Sequence, residues 1–522
     1  MYPALIDISD FSGGMTLNDK LGPRNKFHLG VNIDFSSKPG KIAPGYALAN
    51  ILEGGNSYMP DEFGDIIQHQ RDGILYLGGD DAKLYRQINT TTISAVAAVS
   101  AGVLSMADFV SGVTPTLWYS QVGGLIGSVP YSGGSIDLPN RVSAKFTLSN
   151  TAEVYYPFHK APDSNMYIGN GNDIAKISSA GALTDSALDL PLGWHTRTLS
   201  DFGWRYLAIG ANYYENGENE TSQSKIFLWN RSDTTWSDEL IIPEKEIKAM
   251  IFESGYLWIW AGRSCNIYVV AEGSRKVTKI HSFMKEDPDD RFEVFPNSVD
   301  VRNGTIYFGL SQVGVESMVK NPNAIYSFPA DPNNFSLNIV SVGESNSIIG
   351  GAGDRFKSLK LKRDATLGDA FWFSFYNASV TNKNLLKREE FVDNGHYQDG
   401  AYYYSFRYEA PPGKELFIEA LGIRLDPLPA GCSINMYYSM DTDMLNNGLG
   451  QWTKTTNWRV VFESFNTANA VSKQVFLRTL STSLATGKSI QLKLVMSGSS
   501  SAAVRPFVKQ LYATGYLRPT NE

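Results

Sequence analysis

The sequence predicts an all-β protein: a β-propeller of six or seven blades, preceded by an extended N-terminal arm and followed by an antiparallel β-sandwich. Three observations predict it. Glycine is abundant at 47 residues and aromatics reach 12% of the 522-residue chain, a pairing that suits many short strands joined by tight turns. A turn-plus-aromatic-strand pattern recurs along the chain. Beyond about residue 400 that pattern gives way to longer strands of clean alternation.

The repeat is a turn residue, a short aromatic-apolar strand, a small residue, then a second short strand. Its copies begin at Asp72-Gly73-Ile74-Leu75-Tyr76-Leu77-Gly78, Leu117-Trp118-Tyr119-Ser120, Asn165-Met166-Tyr167-Ile168-Gly169 and Trp204-Arg205-Tyr206-Leu207-Ala208-Ile209-Gly210. They continue at Gly255-Tyr256-Leu257-Trp258-Ile259-Trp260-Ala261-Gly262, Asn303-Gly304-Thr305-Ile306-Tyr307-Phe308-Gly309 and, more weakly, Ala370-Phe371-Trp372-Phe373-Ser374-Phe375. The central residues Tyr76, Trp118, Tyr167, Leu207, Trp258, Tyr307 and Trp372 are spaced 42, 49, 40, 51, 49 and 65 apart. Propeller blades repeat at about 40–50 residues, because a lone four-stranded sheet cannot bury both faces and must stack on its neighbours. The glycine after each strand is expected to make a tight turn near the central axis. The propeller is placed at 61–398.

Residues 399–522 read as a sandwich. Ile490, Leu492 and Leu494 alternate with Gln491 and Lys493, as in a sheet with one buried and one wet face. Further strands are expected around 416–418, 423–425, 434–438 and 507–516, with a turn at Asp426-Pro427-Leu428-Pro429-Ala430-Gly431 and a serine-rich loop at 497–501. Residues 1–60 fit neither pattern. Their glycine and proline density predicts an arm that packs on something else.

Cys265 and Cys432 are the only cysteines, so a disulfide framework and a cysteine-rich zinc site are excluded. No basic region followed by an apolar run opens the chain, so no secretory signal is expected. No window approaches 18 apolar residues, so no membrane anchoring is expected. A net charge of −7 argues against unspecific binding along nucleic acid, yet suits a channel through which DNA slides.

Searching for chemistry yields no enzyme. Ser232-Asp233-Thr234-Thr235-Trp236 approaches a sialidase-type turn but lacks its glycine and spacing. His28, His69, His159, His195, His281 and His396 include no two within five residues, so no local metal pair exists. No Gly-x-Ser-x-Gly elbow or phosphate-binding Gly-Lys loop is present. The acidic runs 286–290 and 441–448 read as solvated loops rather than calcium sites. Paired carboxylates for glycoside hydrolysis would come from different blades, and chain spacing carries no information on their separation. No catalytic residue, cofactor or metal is therefore expected. One basic cluster, Arg355, Lys357, Lys360, Lys362 and Arg363, reads as a strand with one cationic face, a possible partner-contact patch for an acidic subunit or a phosphate backbone.

The arm carries a resemblance. Phe11-Ser12-Gly13-Gly14-Met15, then Gly30-Val31-Asn32-Ile33-Asp34, then Gly40-Lys41-Ile42-Ala43-Pro44-Gly45-Tyr46 resembles the opening of tailed-bacteriophage virion proteins, whose layout is similar to the propeller-based tail nozzle and hub proteins of short-tailed phages. Pro427-Leu428-Pro429-Ala430-Gly431 and Tyr512-Ala513-Thr514-Gly515-Tyr516 are similar to appended sandwich domains of phage structural proteins. The resemblance implies a virion tail location after assembly in the host cytoplasm. It also implies a homo-oligomeric ring, a hexamer favoured, with partners among other tail proteins (adaptor, tail fibre or tail tip). It implies transient passage of double-stranded DNA, retained and then released. Phe11, Gly13, Gly14, Val31, Asn32, Pro44, Gly45 and Tyr46 would be the assembly arm. The chain lacks the long inserted domains of larger nozzles. A glycan- or receptor-binding tail module is the alternative, with Trp452 and Trp458 as candidate stacking platforms.

Overall fold

Each copy of the aromatic repeat becomes the second strand of an antiparallel meander. The computed structural model describes residues 4–11, 29–34, 38, 40–46, 48–56, 58–59, 61–111, 114–132, 135–214, 221–283, 291–313, 323–341, 355–364, 368–377, 383–389, 400–440, 458–477, 485–499 and 504–519. The described residues are strands, turns and three short 3-10 turns.

Seven meanders follow one another, here sheets I to VII. Their second strands are Leu75–Gly79, Thr114–Gln121, Met166–Asn170, Tyr206–Tyr214, Tyr256–Ala261, Thr305–Val313 and Ala370–Asn377. Their first strands begin at Phe63, Val103, Phe158, Trp194, Ile247, Val299 and Arg355. Successive first strands lie against one another, and the last, Arg355–Lys362, lies against the first, Phe63–Gln68, so the series closes into a propeller-like ring. Sheet VII has three strands of its own. Its fourth is Leu48–Asn50 from the N-terminal segment, antiparallel to Lys383–Glu389 through Lys387↔Asn50 and Glu389↔Leu48. Residues 48–50, assigned by the sequence to the arm, thus belong to the ring.

The core is sliced rather than central. Tyr76, Val103, Met106 and Tyr119 fill the space between sheets I and II; Tyr167, Trp194 and Leu207 that between III and IV; Tyr307, Phe356 and Phe373 that between VI and VII. Phe63, Leu77, Trp372 and Leu386 seal VII against I. A buried Trp such as Trp372 removes about 200 Å² from water, at most about 5 kcal/mol gross, against about 1 kcal/mol for each added ladder hydrogen bond. Apolar stacking therefore holds the ring shut, and the short ladder at residues 48–50 sets its register.

Gly262 makes the expected turn after the second strand of sheet V, at φ +78°, but the other repeated glycines have a different role. Gly78, Gly169, Gly210 and Gly309 lie inside the second strands, where a Cβ would come within 3.0 Å of Val103, Thr196, Met250 and Phe356, each on the first strand of the following sheet. The matching positions in the other sheets are Ser120, Trp260 and Ser374. Ser120 Oγ donates to the carbonyl of Tyr156 at the entry to sheet III (3.0 Å), and Ser374 Oγ accepts from Phe63 N of sheet I (3.3 Å). At six of the seven junctions the side chain at this position is small; in sheet V, Trp260 instead packs on Phe308 and Phe328 of sheet VI. Opposite this position the first strands of sheets I, II, IV, V and VII each carry a β-bulge, which adds twist and re-aims one residue.

The C-terminal residues form two further sheets. One runs Ala4–Ile8, Val508–Pro519, Lys414–Leu425, Ser472–Phe476, with Ala485–Gly487 also on Lys414–Leu425. The other runs Ala401–Tyr404, Ser489–Ser497, Ser433–Met440, Arg459–Phe465. Leu416, Ile418 and Leu511 of the first share one core with Ile434, Leu492 and Leu494 of the second. Leu29–Val31 joins this part to sheet VI: it runs parallel to Asn338–Ser341 through Val31↔Ile339 and antiparallel to Ala401–Tyr404.

If the close approach sets the spacing of the sheets, Gly309→Ala forces Phe356 or the strand to move. The expected cost is about 1–3 kcal/mol, read as a lower urea midpoint at unchanged slope; an unchanged midpoint would show the approach to be slack.

Candidate functional site: the ring seam and the arm

The basic strand predicted as a contact patch is the first strand of sheet VII, and it faces its own chain. Arg355 reaches Glu62 (2.5 Å), and Lys357 pairs with Asp80 and lies 3.6 Å from Glu62, both in sheet I's flanking turns. Lys360 pairs with Asp300 of sheet VI (3.2 Å), whose other contact accepts Leu361 N (2.8 Å). Asp300 holds the Lys360 ammonium above the ordinary lysine value. Lys362 pairs with Asp364 (3.3 Å), and Arg363 is exposed. Strand 355–362 thus carries cations toward carboxylates on both neighbouring sheets. Glu62, Asp80 and Asp300 had no sequence signal, because they lie in other repeats; the ring alone brings them in.

Asp65 sits beneath this seam. Burial pushes its carboxyl up to about 7, against the opposing pull of Met106 N (2.7 Å) and Lys360. Further round the axis, the bulged residues Arg197 and Lys248 converge on Glu293, at 2.9 and 2.8 Å. Burial raises the Glu293 carboxyl, but Lys248 and Arg197 outweigh it and hold it below its usual range. Glu246 adds contacts to Lys248 (3.1 Å) and Arg291 (2.8 Å). Asn297 crosses toward sheets I and II and donates to the carbonyls of the bulged residues Gly64 and Leu104, both at 3.0 Å. The axis is filled by a paired polar network, which buried charges require.

The arm residues that are described pack on this chain. Phe11 meets Tyr403 edge-on (5.4 Å between centroids). Asn32 takes φ +57° and its carbonyl accepts from Gly45 N (2.7 Å), folding Ile33–Asp34 back on Ala43–Pro44. Buried Arg505 pins this turn: it pairs with Asp34 (2.8 Å), donates to the Pro44 carbonyl (2.7 Å) and lies over the Tyr46 ring (5.6 Å). Val31 contributes backbone pairing. Gly13 and Gly14 lie outside the described residues, as do the acidic runs 286–290 and 441–448 and Trp452. Asp426, in the predicted turn, gathers Lys38, Lys41 and Lys509 within 3.4 Å, and these lysines overcome burial to lower its carboxyl to about 2.

Among the described residues, no group of three His, Cys, Asp or Glu is placed to hold a metal. His195 pairs with Glu153 (2.7 Å) and His159 with Asp201 (3.1 Å). Ser232–Trp236 is the turn between strands 221–229 and 238–242, organised by Asn230 Oδ1, which accepts from Ser232 N and Asp233 N, both at 3.0 Å. Cys265 and Cys432 are buried free thiols, and burial pushes both up. Among the described residues no helix is long and apolar enough to cross a membrane.

No family model and no curated protein matches the chain. Among solved structures it is similar to Raptor of Chaetomium thermophilum (9% identity, TM-score 0.43, covering 66% of this chain and 28% of that one). It is also similar to the WD40 β-propeller domain of Doa1 (10% identity, TM-score 0.41, 66% and 95%) and to the computationally designed protein Ika8 (10% identity, TM-score 0.38, 65% and 89%). The chain thus spans little more than a quarter of Raptor's length.

Asp65 gives this site a pH signature. Its folded carboxyl titrates near 7, above its ordinary 3.8, so the stability it contributes is complete below about pH 4 and is lost as pH rises through 7. Asp65→Asn is expected to flatten that decline and to be the more stable protein at pH 8, in urea titrations across pH 4–8. Parallel profiles for the two proteins would refute the assignment.

Proposed function

We propose that the chain is a non-enzymatic structural subunit, built on a seven-bladed β-propeller fused to a two-sheet β-sandwich. It would serve as a nozzle-like ring component of a phage tail, helping to retain and release packaged DNA and linking neighbouring tail proteins. The observation that carries the structural reading is the path of residues 4–50. Ala4–Ile8 is a strand of the C-terminal part, Leu29–Val31 bridges it to sheet VI, and Leu48–Asn50 completes sheet VII. One segment thereby ties ring and C-terminal sheets together, as suits a rigid wedge in a cyclic assembly with heterologous contacts. The tail assignment itself rests on the resemblance of the arm motifs, and the net charge of −7 is compatible with DNA sliding past.

A second reading, the glycan- or receptor-binding module, is favoured by one feature. On the C-terminal sheet the partly exposed rings of Tyr402, Tyr437 and Trp458, with buried Tyr404, surround buried Lys493, each ring centroid within 5.6 Å of its ammonium. Glycan-array binding that Trp458→Ala abolishes would favour it over the ring.

Deleting residues 1–60 would remove the strand that closes sheet VII, so the full chain is the right material for the test. Mass photometry and negative-stain imaging are expected to find closed rings, six subunits favoured. Exposed apolar side chains are natural contact points. Trp204 and Leu192 are 78% and 90% exposed, and Trp204→Ser with Leu192→Ser is expected to shift rings toward monomer without changing the thermal midpoint. A monodisperse monomer at all concentrations, alone and with tail adaptor protein, would overturn the ring reading.

A further inference from the structure

The cationic strand is neutralised over most of its length but not at its end. Where sheets VII and I meet, a cleft of about 580 Å³ is lined by Arg86, Lys362 and Arg363 together with Gly73, Asn89 and Thr90. Arg86 comes from the third strand of sheet I, Lys362 and Arg363 from the end of the first strand of sheet VII. Two sheets some 275 residues apart in sequence thus place three cations round one opening.

Their partners are unequal. Lys362 is buried and faces Asp364 (3.3 Å). Among the described residues neither Arg86 nor Arg363 has a carboxylate at ion-pair distance, and Arg86 Nε is buried with no hydrogen-bond partner. The other carboxylate lining the cleft, Asp72, is occupied: it accepts from Ile74 N (3.0 Å) and Tyr76 OH (3.0 Å) and faces His69 (3.3 Å). Behind the cleft Arg388 donates to the carbonyl of Thr90 (2.5 Å) and fixes that wall. Three cations against the two carboxylates Asp72 and Asp364, with an orphaned guanidinium N–H in the wall, leave the cleft net positive and short of an acceptor. Buried donors without acceptors are costly. The guanidinium fork matches planar or tetrahedral oxyanions through paired N–H groups.

We propose that this cleft binds a phosphate-class dianion, held between Arg86 and Arg363 with Lys362 at its base. Phosphate is favoured over a carboxylate because its tetrahedral oxygens can accept from both guanidinium groups that line the opening, where a planar carboxylate matches one fork. The site is independent of the ring reading and would stand if the protein proved monomeric.

Isothermal titration of the full chain with inorganic phosphate, phenyl phosphate and acetate at matched ionic strength tests it. Saturable phosphate binding with Kd of about 1 mM or tighter is expected, at least about tenfold stronger than acetate. Arg363→Gln, at an exposed position, and Arg86→Gln should each weaken it at least about tenfold, with thermal midpoints confirming that both variants are folded. Phenyl phosphate binding as well as phosphate would identify a monoester carried by a larger ligand, whereas binding of phosphate alone would identify the free ion. Absence of saturable binding, equal binding of acetate, or unchanged binding in Arg363→Gln would overturn the proposal.

Discussion

The closeness with which each sheet meets the next governs this protein. At one position in six of the seven second strands the side chain is no larger than serine, and at the four glycines the following sheet's first strand presses against it; sheet V alone holds a tryptophan there. Four glycines, two serines and Trp260 fill the seven positions, and the serines use their hydroxyls to bond across the junction. The bulges opposite are the other half of the same constraint: bringing the sheets together at that depth bends the first strands and turns one residue of each toward the axis. Those residues include Arg197, Lys248 and Lys357, so the packing rule also dictates where buried charge appears.

Charge and apolar packing divide the work at the seam. Ion pairs such as Lys357 with Asp80 are partly exposed, and pairs of that kind contribute about 0–1 kcal/mol each. Phe63, Leu77, Trp372 and Leu386 bury far more free energy in the same interface. The carboxylates of sheets I and VI nevertheless matter, since an unmatched cation there would be penalised; they select the one alignment in which strand 355–362 lies between them. Only at its end do the cations outnumber the acids.

The N-terminal segment extends the same economy to the whole molecule. A ring of sheets whose first and last members are joined by stacking alone is open to slippage, because register in a sheet is set by its ladder and pattern. A three-residue strand from the opposite end of the chain fixes that register. The turn anchored by Arg505, Asp34 and the Pro44 carbonyl, and the lysines gathered by Asp426, then hold the C-terminal sheets against it. The arm is therefore, in its described part, a clasp within the chain.

Much of this was legible along the chain. The aromatic repeat marked the second strand of all seven meanders, because local alternation and turn chemistry act over ten residues or fewer. The small residue at its end was legible too, but its reason was not: a turn and a crowded interface both call for glycine, and only the neighbouring sheet distinguishes them. The basic cluster was found as a strand with charged side chains, yet its partners Glu62, Asp80 and Asp300, and Arg86 in the cleft, come from distant repeats with no spacing rule to reveal them. Sequence by itself determined the all-β class, the repeat and the change of pattern near residue 400, since these follow from near-neighbour physics. Tertiary structure alone decided which strand closes the ring, which charges are spent internally and which remain available, because those depend on contacts between residues hundreds of positions apart.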